Sequence, residues 1–103
     1  METEHHFLFA LDEGFTMQAF SSAVEVLRLL ARIRPGSRLT YGAASLSGGP
    51  VRASNGFALI PDTDPGAIPR RAVIVVVAGA SANRTEAPDL AAWLRRLARS
   101  GHP

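Results

Sequence analysis

Asp12 and Glu13 stand side by side at the end of an apolar run, and a carboxylate pair is what general acid–base chemistry uses. On a strand-to-helix turn, however, they read as solvated charges. His5 and His6 offer two imidazoles, but neighbours on a strand point to opposite faces and cannot easily share one ion, so no metal site is expected. Gly48-Gly49 and Gly79-Ala80-Ser81 are small-residue loops without the spacing or the Lys of a phosphate-binding loop, so no nucleotide or other cofactor is expected. Ser81 has no His or acid at a suggestive spacing, which leaves a serine-hydrolase reading without support. Glu25 can meet Arg28 at i+3 and reads as a surface ion pair or a dimer contact rather than a catalyst. There is no cysteine, hence no thiolate nucleophile, no disulfide framework and no Cys-based zinc site.

The elements that would position these residues belong to one small domain, because the chain has 103 residues. Its hydrophobic fraction of 47% and net charge of +2 exclude a disordered tail. The basic residues are all Arg, which accounts for the pI near 10.4 without implying a strong field toward nucleic acid. Arg28, Arg32, Arg34 and Arg38 form the densest positive cluster; with no interleaved aromatic residues, it reads as a polar helix face followed by a loop. The longest charge-free apolar stretches, Phe7–Leu11 and Ala72–Ala80, fall far short of the ~20 residues a spanning helix needs, so no membrane partner is expected. The acidic start, Met-Glu-Thr-Glu-His-His, is unlike a secretory signal, and a cytoplasmic location is expected.

Phe7–Leu11 suits a strand buried on both faces, closed by Asp12-Glu13-Gly14. A helix follows with Thr16 as N-cap. Phe20, Ala23, Val24, Leu27, Leu30 and Ala31 lie on its buried face, and Gln18, Ser21, Ser22, Glu25, Arg28 and Arg32 on the opposite stripe. Arg34-Pro35-Gly36 ends it. Arg38–Leu46 reads as a second strand and Gly48-Gly49-Pro50 as a turn. Val51–Ser54 and Phe57–Ile60 flank Asn55-Gly56 as a hairpin with a type I′ turn. Pro61–Pro69 is a loop, Ala72–Ala78 a central strand, and Gly79–Asn83 a small-residue loop. Leu90, Leu94, Leu97 and Ala98 then mark a second amphipathic helix, with Trp93 beside them and Arg95, Arg96 and Arg99 outward.

Strand, helix, strand, hairpin, strand, helix is the order of an α/β domain with parallel strands and right-handed crossovers. In a doubly wound sheet the first strand lies between the second and third parallel strands, and ligands sit where the winding reverses. Here that crevice would be lined by Asp12–Phe15 and Gly79–Asn83, which makes Asp12, Gly14, Phe15, Gly79 and Ser81 the candidate ligand-binding residues. The outer edge of Ala72–Ala78 is left uncovered, so the chain is expected to be part of a larger domain, or to self-associate.

Leu46-Ser47-Gly48-Gly49-Pro50-Val51-Arg52-Ala53-Ser54-Asn55-Gly56 resembles the strand–hairpin segment of the ThiJ/PfpI-like sensory domain of AraC-type transcriptional regulators. Gly14-Phe15-Thr16-Met17 with Glu25-Val26-Leu27-Arg28 is similar to that family's first helix. Asp89–Gly101 is similar to the helix before its nucleophile-elbow strand. The resemblance covers essentially the whole chain, and the glycine-rich block is its most specific part. It implies a flavodoxin-like, doubly wound, mostly parallel sheet with a β-hairpin, cut before the nucleophile-elbow strand.

Enzymatic relatives carry a cysteine nucleophile just beyond the point that Pro103 reaches. They also carry an acid early in the first helix, where this chain has Ala19. A methyl group can neither exchange a proton nor orient a thiol. The resemblance therefore implies a non-catalytic module that senses an unidentified small molecule and forms a homo-oligomer, with DNA reached only through a helix-turn-helix domain absent from this chain. Two alternatives stand beside it: part of a ThiJ/PfpI-class hydratase, amidase or glyoxalase-like enzyme, and a truncated domain without independent function.

Overall fold

The computed structural model describes residues 4–34, 36, 38–79 and 87–99. Strand β1 (Glu4–Leu11) leads through a turn into helix α1 (Met17–Ile33) and then strand β2 (Arg38–Ser45). The short strands β3 (Val51–Arg52) and β4 (Ala58–Leu59) form the hairpin. Strand β5 (Val73–Val77) and helix α2 (Ala87–Arg99) follow. Strands β2, β1 and β5 form a sheet in that order, with both pairings parallel, so the apolar β1 is its middle strand as the alternation of elements requires.

Alternate side chains of β1 serve the two faces. Phe9 and Leu11 join Phe15, Ala43, Val51, Ala53 and Val77 in a core covered by Met17, Phe20, Ala23, Val24 and Leu27. Leu8 and Ala10 join Ala44 and Ala72 under Trp93 and Leu97 of α2. Trp93 is thus a central buried residue of the second helix rather than a neighbour of its apolar face, and Ala98 is exposed. Leu30, expected in the core, is 42% exposed: it sits at the margin of the stripe that touches the sheet.

Thr16 takes the extended N-cap backbone without a side-chain capping bond; its carbonyl accepts the first helical N–H, from Phe20, at 3.1 Å. The hairpin turn differs from type I′. Asn55 is not at positive φ, and only Gly56 is, at 93°. Gly56 N–H donates to Ala53 O at 3.0 Å and Ala53 N–H to Phe57 O at 2.8 Å, a three-residue loop in which the left-handed residue follows the turn. The Asn55 side-chain oxygen accepts from Phe57 N–H at 3.1 Å, which holds Asn55 out of the left-handed region the sequence suggested.

The free edge of β2 is met at Ala43 by the loop that follows β4. Ala43 N–H donates to Asp62 Oδ1 at 2.8 Å, and Thr63 N–H to Ala43 O at 3.0 Å. Among the described residues β5 pairs with β1 alone. Also among them, no helix is long and apolar enough to cross a membrane.

Candidate functional site

The turn Asp12–Thr16 leaves β1 and is bonded to its neighbours on both sides. Toward β5, Asp12 N–H donates to Val77 O at 3.2 Å and Thr16 N–H to Ala78 O at 3.3 Å, while Phe15 and Gly79 form an antiparallel bridge. Gly14 adopts φ 82°, which the turn needs and a side chain would resist. A Cβ placed on Gly79 would overlap the Gly14 carbonyl and stand 2.9 Å from Phe15 N. Toward the hairpin, Gly14 N–H donates to Arg52 O at 2.7 Å and Ser54 N–H to Phe15 O at 2.8 Å. The Phe15 ring is fully buried and meets Phe20 edge-on at 5.7 Å between centroids.

An opening lies on the other side of β1. A cavity of about 220 Å³ separates the carboxyl ends of β1 and β2, lined by Leu11, Asp12, Glu13, Ser45, Leu46, Ser47 and Val51. Leu11 and Val51 are buried and Leu46 is part-exposed, so the walls are apolar, while two carboxylates stand at the margin. Asp12 is only 8% exposed, and among the described residues no buried side-chain polar atom lacks a partner. Ser45 Oγ donates to Gly49 O at 2.7 Å and accepts from Gly48 N–H at 3.1 Å, which fixes the turn that carries Leu46 and Ser47. Glu13 Oε2 lies 3.5 Å from Arg52 N–H, tying the rim to the hairpin. Such a lining suits a small molecule with hydrogen-bond donors or a positive charge and an apolar body.

Of the residues expected to bind a ligand, Asp12 lines this cavity. Gly14, Phe15 and Gly79 are brought together in the junction beside it, and Ser81 lies outside the described residues, as do Ala80, Ala82 and Asn83. Ser45, Leu46, Ser47 and Val51 were not foreseen. A sequence signal existed, because Ser45–Pro50 is the other loop at a carboxyl strand end beside β1. A second depression of about 230 Å³, between α1 and β4, is walled by Phe9, Phe20, Val24, Leu59 and Ile60; its carboxylate, Asp62, already accepts from Ala43 N–H.

The other candidates are brought to no shared site. His6 Nδ1 is 2.7 Å from Thr40 Oγ1, and no metal-capable cluster of His, Asp and Glu occurs among the described residues. Arg28 Nη2 lies 2.7 Å from Glu25 Oε1 on the exposed face of α1. The hydrogen bonds from Arg28 hold the Glu25 carboxyl below its ordinary range, and Glu25 in turn raises Arg28. Ala19 sits in the first turn of α1, exposed.

Sheet order, crossovers and the site at carboxyl strand ends define a doubly wound α/β segment. No family model matches the sequence. The chain is 38% identical over 95 residues to the HTH-type transcriptional regulator CdhR of Pseudomonas aeruginosa, an alignment that takes in 92% of this chain and 28% of that regulator. An AraC family transcriptional regulator from Pseudomonas putida superimposes with a TM-score of 0.76 at 25% identity, over 95% of this chain and 52% of the other. A DJ-1 superfamily protein from Agrobacterium tumefaciens gives 0.65 at 23% identity, over 95% and 50%. The chain thus spans about a quarter of the curated regulator and half of each solved structure. Over that part it is similar in sequence to an HTH-type transcriptional regulator, similar in sequence and fold to an AraC family regulator, and alike in fold to a DJ-1 superfamily protein.

Proposed function

We propose that this segment is the non-catalytic, small-molecule-sensing and self-associating part of an AraC-type transcriptional regulator of the cytoplasm, which reaches DNA through a separate helix-turn-helix domain. The observation that carries the reading is the 38% identity to a transcriptional regulator across nearly the whole chain. The presence of Ala19 where enzymatic relatives carry an acid supports the non-catalytic part. The effector enters the cavity between β1 and β2, below the roughly 300 Å³ at which pockets for drug-sized ligands begin, so it is a small metabolite. Asp12, Glu13 and Ser47 offer it acceptors, Leu11, Leu46 and Val51 offer it apolar walls, and Gly14, Phe15 and Gly79 hold the wall behind them.

The test is a thermal-melt screen of the purified chain against small metabolites, cationic ones first, run beside turnover assays with methylglyoxal and short amides. A compound that raises the melting temperature of the wild type but not of Asp12→Asn is expected. Turnover above a heat-killed control would replace the sensor with an enzyme.

A further inference from the structure

The charges of this chain are sorted along the sheet. Helix α1 runs back from the carboxyl end of β1, and its 17 residues span about 25 Å, the length of the eight-residue β1. Its last turn therefore brings Arg32 to the amino end of the sheet, with Arg34 just beyond, and Arg38 opens β2 there in register with Glu4. On the other side of β1, Ala72 N–H donates to Pro69 O at 3.0 Å. That bond closes a turn whose two central residues are Arg70 and Arg71, both exposed, just before β5 begins. Helix α2 follows the carboxyl end of β5, and its 13 residues, about 20 Å, are long enough to reach back along that strand. Leu97 shares a core cluster with Ala72, so the last turn of α2, which holds Arg96 and Arg99, lies at the level of the Arg70–Arg71 turn.

The carboxylates stand elsewhere. Asp12 and Glu13 are at the carboxyl end, Asp89 is in the first turn of α2, and Glu25 is held by Arg28. In the loop after β4, Asp62 Oδ1 accepts from Ala43 N–H at 2.8 Å and Asp64 Oδ1 from Gly66 N–H at 2.7 Å. Among the described residues, Glu4 is the acid at the amino end, and the exposed Arg32, Arg70, Arg71 and Arg99 enter no ion pair. A net charge of +2 for the whole chain thus averages over an end that carries seven of its eleven arginines.

We infer that the amino end of the sheet rests on the phosphate backbone of duplex DNA, beside the bases that a separate helix-turn-helix domain reads. The inference rests on the regulatory reading above, which brings DNA within reach, and adds to it a contact without sequence preference. These arginines stand on both sides of the sheet, in layers about 10 Å apart, and so spread over roughly 20 Å. A lone phosphate or carboxylate can meet one or two of them. One strand of B-DNA sets about six phosphates along the same 20 Å, and guanidinium forks suit their oxygens. Strands added beyond β5 would pair edge to edge, widening this end sideways rather than capping it. With about four phosphates neutralised, affinity should fall roughly a hundredfold between 50 and 200 mM salt.

Fluorescence anisotropy of a labelled duplex of about 20 base pairs tests this. The chain should bind at 50 mM salt, equally for two unrelated sequences, and show that salt dependence. Arg70→Gln with Arg71→Gln should weaken binding roughly tenfold or more and lower the slope against log salt by about two, with unchanged circular dichroism and melting. Arg28→Gln with Arg52→Gln removes the same charge from the middle of α1 and from the hairpin, and should leave the slope unchanged. No binding by the wild type at 50 mM salt, equal losses in the two double variants, or tighter binding of polyglutamate than of the duplex overturns the inference. A chain that ignores the duplex yet answers to an effector loses this contact and keeps the sensor. Turnover in the enzyme assays removes the sensor, and the duplex titration then still decides the contact.

Discussion

The two sides of β1 end differently. Toward β5, the turn Asp12–Thr16 is closed by backbone hydrogen bonds to Val77 and Ala78 and by the Phe15–Gly79 bridge, where a side chain on Gly79 would run into the Gly14 carbonyl. Toward β2, the same turn faces a cavity of about 220 Å³ whose walls are side chains. Adjacent gaps at one end of one sheet are therefore used in opposite ways. Where glycines allow main chains to touch, bonding consumes the space. Where Leu46, Ser47 and Val51 intervene, the space survives. Rigidity on one side gives the other a fixed wall, which is what a binding site needs to recognise a ligand without first ordering itself.

This contrast can be broken most severely at Gly79. Gly79→Ala forces a methyl into the Gly14 carbonyl, and neither backbone is free to move. A loss of about 4 kcal/mol or more is expected, large enough to abolish a cooperative melt in a domain of this size. Phe15→Leu should be milder, since it keeps most of the apolar volume and all the backbone bonds. About 1–1.5 kcal/mol should be lost in urea unfolding, with the edge contact to Phe20 gone. Leu46→Gln changes only a part-exposed wall of the cavity, so stability should stay within about 0.5 kcal/mol of wild type while any effector-induced rise in melting temperature falls. If Leu46→Gln proved as costly as Phe15→Leu, the supposed open side would be as tightly built as the closed one.

Legibility in the sequence followed the same division. Phe7–Leu11 and Ala72–Ala78 announced themselves as strands because unbroken apolar runs have few other places to go, but only the first is central: β5 pairs with β1 alone among the described residues and leaves Val76 40% exposed. The i, i+3, i+4 pattern found the sheet-facing side of α1, yet it gave no reason to separate Leu30 from Leu27, since both are leucines at helical spacing. Asn55-Gly56 marked a turn correctly and its type wrongly. A dipeptide favours positive φ, but the Asn55 side chain bonding Phe57 N–H selected the three-residue loop. Asp12 and Glu13 were visible as a pair, whereas Ser45, Leu46, Ser47 and Val51 carry no motif of their own.

By itself, then, the sequence determined the identity and order of the elements and the parallel sheet with β1 in its middle. These depend on residue types and on periodicities that repeat along the chain. Only the tertiary structure decided which gap beside β1 is open. That outcome depends on how closely Gly14 and Gly79 approach with α1 packed over Phe15, and on the Ser45–Gly49 turn that carries Leu46 and Ser47, both of which line the cavity. It likewise decided that α1 keeps a second apolar stripe, Val26, Leu29 and Ile33, exposed. A helical pattern records that two stripes are apolar, but only the packed sheet shows which of them it has covered.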